Sequence, residues 1–217
     1  MSQVTTSVLP DIGRSDVTSI FVGQQYVPDR AAARALPERT VAEWIRTPWP
    51  AGILSVSCYV STEEDTVLTY VQCSNGDAYM PFVASLHGPA RAGAAEYRLR
   101  ARAVPQGVAG VPACTVIAMF DVDGAERQER VIKSLVDALN GPPGSGPPGM
   151  LSANFHVSTD ATRVLNYAEW TSDEAHLAFL DSMARVTTMR VSGNIPGVRP
   201  IGFKRYHLYH SISRPAD

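Results

Sequence analysis

Lysine is nearly absent from this chain: Lys133 and Lys204 are the only two, and the remaining positive charge is arginine. With abundant alanine, glycine and proline this points to a GC-rich bacterial genome, a statement about codons and not about fold. Formal net charge is only −2. The basic helix or stripe that marks a nucleic-acid footprint is missing, so no nucleic-acid partner is expected. The densest basic stretch is Arg98, Arg100 and Arg102. Its period of two reads as one face of a strand, solvated or set against an anion. Cysteine is scarce as well. Cys58, Cys73 and Cys114 make an odd number with no metal-like spacing, which favours reduced, buried thiols in a cytoplasm. No apolar run approaches the roughly 18 residues of a membrane span, so no membrane association is expected. Residues 1–10 are polar and lack an apolar h-region, so no secretory signal is expected. There is no glycine-rich phosphate fingerprint after a strand and no nucleophile elbow. His207 and His210 stand three apart on a predicted strand, face opposite ways and make a poor metal pair.

What the chain does contain is a repeat. Its 217 residues fit one large domain or two units of about 100 residues. Apolar residues are 45% and charged residues 18%, enough for a sizeable core in an ordinary globular protein. Residues 53–83 lie over residues 150–180 at a constant offset of 97 without a gap. Ten of those 31 positions are identical, and Val60-Ser61-Thr62 recurs whole as Val157-Ser158-Thr159. The same offset lays Ile20 on Ile117. Near the ends Tyr97 to Arg100 lies over Tyr206 to Tyr209 at an offset of 109, so the second copy carries about a dozen extra residues after its second helix.

Each copy predicts the order strand, helix, two strands, helix, strand. The first strands are residues 18–26 and 115–122. The first helices are 31–45 and the stretch holding Val131, Ile132, Leu135, Val136 and Leu139 at helical spacing, stopped by Asn140-Gly141. Strands 54–60 and 67–73, then 151–157 and 163–170, are joined by short polar turns at 61–66 and 158–162. Glu63, Glu64 and Asp65 in the first turn read as solvated. Second helices follow at 77–86 and 173–183, the latter opened by capping-box spacing from Thr171 to Glu174. Strands 96–104 and 203–211 close the copies. This βαββαβ order is the ferredoxin-like split βαβ, an α+β fold with both helices on one sheet face. The other face must be buried. Tandem copies can bury it against each other, and the expected architecture is an intramolecular dimeric α+β barrel. The expected units are residues 1–106 and 107–217, joined through the Gly- and Pro-rich stretch 105–112. The run 141–149, also rich in glycine and proline, reads as a loop inside the second copy.

Strand 163–170 is the most informative segment. Alternation puts Val164, Asn166, Ala168 and Trp170 on one face. That face is apolar except for one amide, which must find a partner in the protein or in a ligand. A satisfied core asparagine beside a core tryptophan is the plain alternative. The first copy has Thr69 and Cys73 at the equivalent places, so the fold itself does not demand Asn166 and Trp170. His156 shares its strand side with Ser152, Asn154 and Ser158 and reads as a structural histidine.

The segments Ser152-Ala-Asn-Phe-His-Val-Ser-Thr-Asp160, Arg163-Val-Leu-Asn-Tyr-Ala-Glu-Trp170 and Glu174-Ala-His176 resemble the antibiotic biosynthesis monooxygenase family. The similarity is closest to its cofactor-independent anthrone and quinone-forming oxygenases of aromatic polyketide pathways. It is sharp over about thirty residues of the second copy, with Asn-Tyr-Ala-x-Trp the most specific run. The resemblance implies a role for each matching residue. Asn166 would hydrogen-bond a phenol or keto oxygen and stabilise the enolate. Trp170 would pack on the polycyclic substrate. His176 would orient substrate or relay a proton, or simply stand at the pocket rim. Val164, Ala168 and Phe179 would line the substrate pocket. No metal or flavin is implied; O2 is the co-substrate and the ligand an aromatic polyketide. The chain departs from the family in carrying two units, with Tyr79 where the second copy has His176. One competent site per chain is expected, the first unit serving as scaffold or lid. A polyketide cyclase on the same fold, and a non-catalytic partner of a pathway oxygenase, remain alternatives. Haem degradation ranks last for want of a well-placed axial ligand. A homodimer or association with other pathway enzymes is open.

Overall fold

Alternating strands and amphipathic helices fold here into α+β structure. The computed structural model describes residues 5–6, 9–88, 93–105, 108–140, 146–182, 186, 190 and 192–215. Residues 106–107 of the expected junction, 141–145 of the expected loop and Met183 of the last expected helix lie outside them. The chain divides into two compact units, Met1–Arg98 with His207–Asp217, and Leu99–Tyr206.

In the first unit, β2 (Ser19–Tyr26) leads to α1 (Arg30–Arg46), then to the hairpin β3 (Ile53–Ser61) and β4 (Thr66–Cys73). A 3₁₀ turn at Gly76–Ala78, α2 (Tyr79–Ser85) and the start of β5 (Ala95–Ala103) follow. Strand β2 pairs antiparallel with both β4 and β5, and β4 pairs with β3, which is the split βαβ order. The short β1 (Thr5–Thr6) and the end of β9 (Val198–Ser213) extend this sheet beyond β3. Helix α1 starts where the Asp29 carboxylate accepts from Ala32 N–H at 2.8 Å. The second helix is shorter than residues 77–86 because the Asn75 side chain accepts from Asp77 N–H at 3.0 Å and holds the first residues in a 3₁₀ turn.

The second unit repeats the plan with β6 (Cys114–Val122), α3 (Ala125–Leu139), β7 (Met150–Ser158), β8 (Arg163–Trp170), α4 (Asp173–Leu180) and the first part of β9. Strand β6 lies between β8 and β9, β8 between β6 and β7, and the end of β5 flanks β7. Val131, Ile132, Leu135 and Leu139 of α3 are buried on the sheet. Each such side chain contributes about 1.5–3 kcal/mol of transfer free energy. Helix α4 is capped by Ser172, whose hydroxyl accepts from Ala175 N–H at 3.1 Å. The cap is one residue later than Thr171, because Ser172 is the extended residue before the helix and Thr171 N–H still donates to the Gly149 carbonyl at 2.9 Å.

The repeat reaches the backbone. Among the described residues, Glu64 and Ala161 are the non-glycine ones with positive φ, at 53° and 60°, and they stand 97 apart. Bulges fall at Ile53/Ser55 and Met150/Ser152, again 97 apart. Ser55 donates to Gln72 at 2.6 Å as Ser152 does to Glu169 at 2.5 Å. The offset does not extend to the first strand. Ile20 pairs with Gln72, but it is Thr115, not Ile117, that pairs with the equivalent Glu169. The offset there is 95, because the helix and its loops between the first two strands differ in length. The end-strand match survives, since Tyr97 faces Ile20 as Tyr206 faces Thr115.

Candidate functional site

Strand β8 carries Asn166, Ala168 and Trp170 on one face, and all three line a cavity of about 330 Å³ inside the second unit. Helix α4 adds His176 and Phe179 to the same wall, three residues apart and therefore neighbours on one helix face. Of the residues expected to hold substrate, Ala168 and Phe179 stand in the cavity wall, and Val164 does not. Val164 shares their strand face but is fully buried in the apolar cluster that includes Val131 and Leu135 of α3. The cavity wall stops short of Val164.

The wall is mostly hydrocarbon and ring. Trp170 meets His176 edge-on, centroids 5.0 Å apart, and Phe179 at 5.4 Å. His176 in turn meets the Phe203 ring of β9 at 5.2 Å. Such tilted and T-shaped pairs fix ring orientation. Met150, Phe155, Leu135 and Leu139 are part of the apolar lining. Leu135 and Leu139 lie on the apolar helix face that the spacing predicts, but the pattern carries no signal that a void lies beside them. Phe203 and Ile201 were missed as site residues; their only signal is a place near the start of a predicted strand.

Besides Ser192, three residues bring side-chain polar atoms to this surface. Asn166 Oδ1, Trp170 Nε1 and His176 Nδ1 are buried and have no hydrogen-bond partner. A buried polar atom left unpaired costs about 1–3 kcal/mol, and native proteins carry few of them. The opposite face of the same strands is quite different. There Asn154 donates to Ser152 Oγ at 2.8 Å and to the Tyr167 carbonyl at 3.0 Å, and accepts from Arg102 at 2.8 Å. The unit therefore satisfies its structural amide and leaves the cavity amide open to a ligand.

Electrostatics sharpen the roles. Burial pushes the His176 imidazole down to about 4; Arg205 acts in the same direction and Asp173 against it. His176 is therefore neutral at neutral pH, one ring nitrogen a donor and the other an acceptor. Cys114, opposite Trp170 in the β6–β8 ladder, has its thiol pushed up by burial and then by Asp173, so it is no thiolate nucleophile. His156, expected to be structural, is fully buried and driven to about 4 by desolvation. The Arg98–Arg102 face includes Arg100, which bonds Glu129 at 2.6 Å; the anion there is the protein's own.

The first unit fills the equivalent space. Tyr79, in the place of His176, stacks on Phe21 with centroids 3.8 Å apart. Its phenol is pushed up to about 12, by burial first and Cys73 second. Thr69 and Cys73 stand where the second unit has Asn166 and Trp170, and Phe82 is buried in the core.

This geometry defines an α+β protein with split βαβ units and an apolar, ring-lined cavity in one of them. Solved structures share the architecture. An anthrone oxidase-like protein superposes with a TM-score of 0.64 at 14% identity, covering 90% of this chain and 92% of its own. A candidate chlorite dismutase gives 0.55 at 9% identity over 88% and 94%. A candidate monooxygenase from Fusobacterium nucleatum gives 0.53 at 12% identity over 94% and 97%. Identities this low establish a shared fold and no more. No family profile matches the sequence. No curated protein matches it either.

Proposed function

We propose that the second unit is a cofactor-independent oxygenase site that converts a polycyclic aromatic polyketide, an anthrone or phenol, to a quinone with O2. The observation that carries this reading is the apolar cavity in which Asn166 Oδ1, Trp170 Nε1 and His176 Nδ1 all lack partners. A flat aromatic bearing a few oxygens supplies what each needs. The fold shared with an anthrone oxidase-like protein adds weight.

In this reading the Asn166 amide hydrogen-bonds the substrate oxygen on which charge develops when the ring system is deprotonated. Amide orientation is assigned by bonding partners, so a flipped Asn166 offers N–H to that oxygen with no other change. The Trp170 indole N–H gives a second donor, and its ring, in contact with that of Phe179, forms one aromatic wall against the substrate. A histidine titrating near 4 is too weak a base to remove the proton at neutral pH. His176 therefore orients the substrate hydroxyl, and acidity comes from the substrate enol itself, aided by the Asn166 contact. The anion gives an electron to O2, the radical pair combines to a hydroperoxide, and loss of water leaves the carbonyl. One CH2 and one O2 become one C=O and one H2O, so no external reductant is required. The apolar wall keeps water from the reactive intermediates.

The first unit takes no part in this chemistry in the proposal, its equivalent space being filled by the Phe21–Tyr79 stack. The test is O2 uptake by purified, metal-stripped protein given a hydroxyanthrone, with product mass. Uptake matched one-to-one by quinone supports the proposal. No uptake above the spontaneous rate, with dehydrative ring closure of an uncyclised polyketide chain, points to a cyclase instead.

A further inference from the structure

The cavity wall is uneven. Among the described residues that line it, Pro200, Ile201, Gly202 and Phe203 of β9 are exposed to solvent, and every other one is buried or half-buried. Ile201 is 50% exposed and Phe203 43%, although both face the cavity. One thin stretch of strand thus separates the cavity from the outside.

That stretch is also where the ladder to β6 fails. Met119 pairs with Gly202 and Phe120 pairs with Pro200, so Ile201 has no partner on β6. An extra residue in one strand bends it, removes ladder bonds and re-aims a side chain. Pro200 can donate no backbone hydrogen bond at all. Gly202 has φ +147°, a conformation that other residues rarely adopt, and open space where a Cβ would stand. The weakest pairing in the β6–β9 ladder therefore coincides with the outer wall of the cavity.

From this coincidence we infer that the bulge at Ile201 is the port through which ligands reach the cavity, and that Ile201 and Phe203 select neutral, planar aromatic molecules there. The rim offers apolar side chains, and the Phe203 ring leads onto His176 and Trp170. A flat ring can slide between Ile201 and Phe203 in contact with apolar surface throughout. The proposed oxidation supplies the reason such a molecule would enter, but the port itself is argued from the wall alone and can stand if that chemistry fails.

The experiment is stopped-flow binding of the neutral fluorescent probe N-phenyl-1-naphthylamine to the full chain. Ile201→Trp adds bulk at the exposed edge of the cavity wall. Association and dissociation are both expected to slow by about tenfold or more, and by more than any change in Kd, because a narrowed port raises the barrier in both directions. Ile201→Ala should speed both rates. Ile201 is half outside the protein, so both variants should fold; if the tryptophan variant does not, Ile201→Ala and Phe203→Ala carry the test. Unchanged rates in these variants, a change confined to dissociation, or no saturable binding to the unaltered protein would each overturn the inference. Gated probe binding without O2 uptake from a hydroxyanthrone would sink the oxygenase reading and leave the port intact.

Discussion

Asn166 and Asn154 stand on neighbouring strands of one sheet and should respond to the same substitution with opposite sign. The Asn154 amide makes three hydrogen bonds, to Ser152, the Tyr167 carbonyl and Arg102. Asn154→Leu removes all three and takes a partner from the buried Ser152 hydroxyl and Tyr167 carbonyl. At about 1 kcal/mol per bond, plus the cost of orphaned groups, the expected loss is about 3–5 kcal/mol. The Asn166 carbonyl oxygen has no partner in the ligand-free chain. Asn166→Leu replaces a poorly solvated amide by hydrocarbon of similar volume in a wall that is already apolar. Half-burial limits the gain, so about 1 kcal/mol of added stability is expected, a rise of about 2–4 °C in melting temperature. Urea denaturation of both variants, with unchanged m-values, reads the two numbers. A destabilisation of Asn166→Leu by more than about 1 kcal/mol would mean that its amide is structural after all. The argument for an open ligand site would then fail at its first step.

Three more outcomes follow from the same geometry. His176 titrates near 4 when folded against 6.5 for the free side chain. Its folded state binds the proton less well, so stability is complete above about pH 6.5 and declines as pH falls toward 4. His176→Gln should remove roughly 2 kcal/mol of that decline between pH 7 and 4, measured by denaturation at each pH, and leave the part due to His156. Gly149→Ala should cost more than Gly52→Ala: each new Cβ would stand 2.6 Å from an alanine Cβ, but only Gly149 also has positive φ, +80°. The backbone term adds about 1–3 kcal/mol, and equal losses for the two variants would count against it. Gly202→Ala meets nothing within 4 Å, so any loss of stability there reports the φ of +147° alone.

Much of the fold was legible because the repeat is periodic in chemistry as well as in letters. The hairpin serines, the bulge positions and the positive-φ residues all obey the offset of 97. They do so because each is fixed by short-range geometry inside an ungapped segment. The offset failed for Ile117, where strand pairing sets the register and intervening helix length does not. The candidate site was half legible. Asn166, Trp170, His176 and Phe179 do come together, since one strand face and one helix face determine their directions. Alternation gives the face of a residue and not how far along that face the cavity extends, so Val164 shares the face of Asn166 and Ala168 without standing in the cavity wall. Phe203 and Ile201 were invisible because a bulge across two distant strands leaves no local pattern. The contrast between units was foreshadowed by Cys73 and Tyr79, but the Phe21–Tyr79 stack that fills the first unit needed coordinates.

The most direct measurement of the central claim is O2 consumption with a hydroxyanthrone by the unaltered protein, Asn166→Ala and Trp170→Phe, after chelation. The account predicts one O2 per quinone formed and a loss of at least about tenfold in kcat/KM for each variant, about 1.4 kcal/mol of transition-state stabilisation apiece. Uptake no faster than the spontaneous reaction, or full activity in both variants, would contradict it.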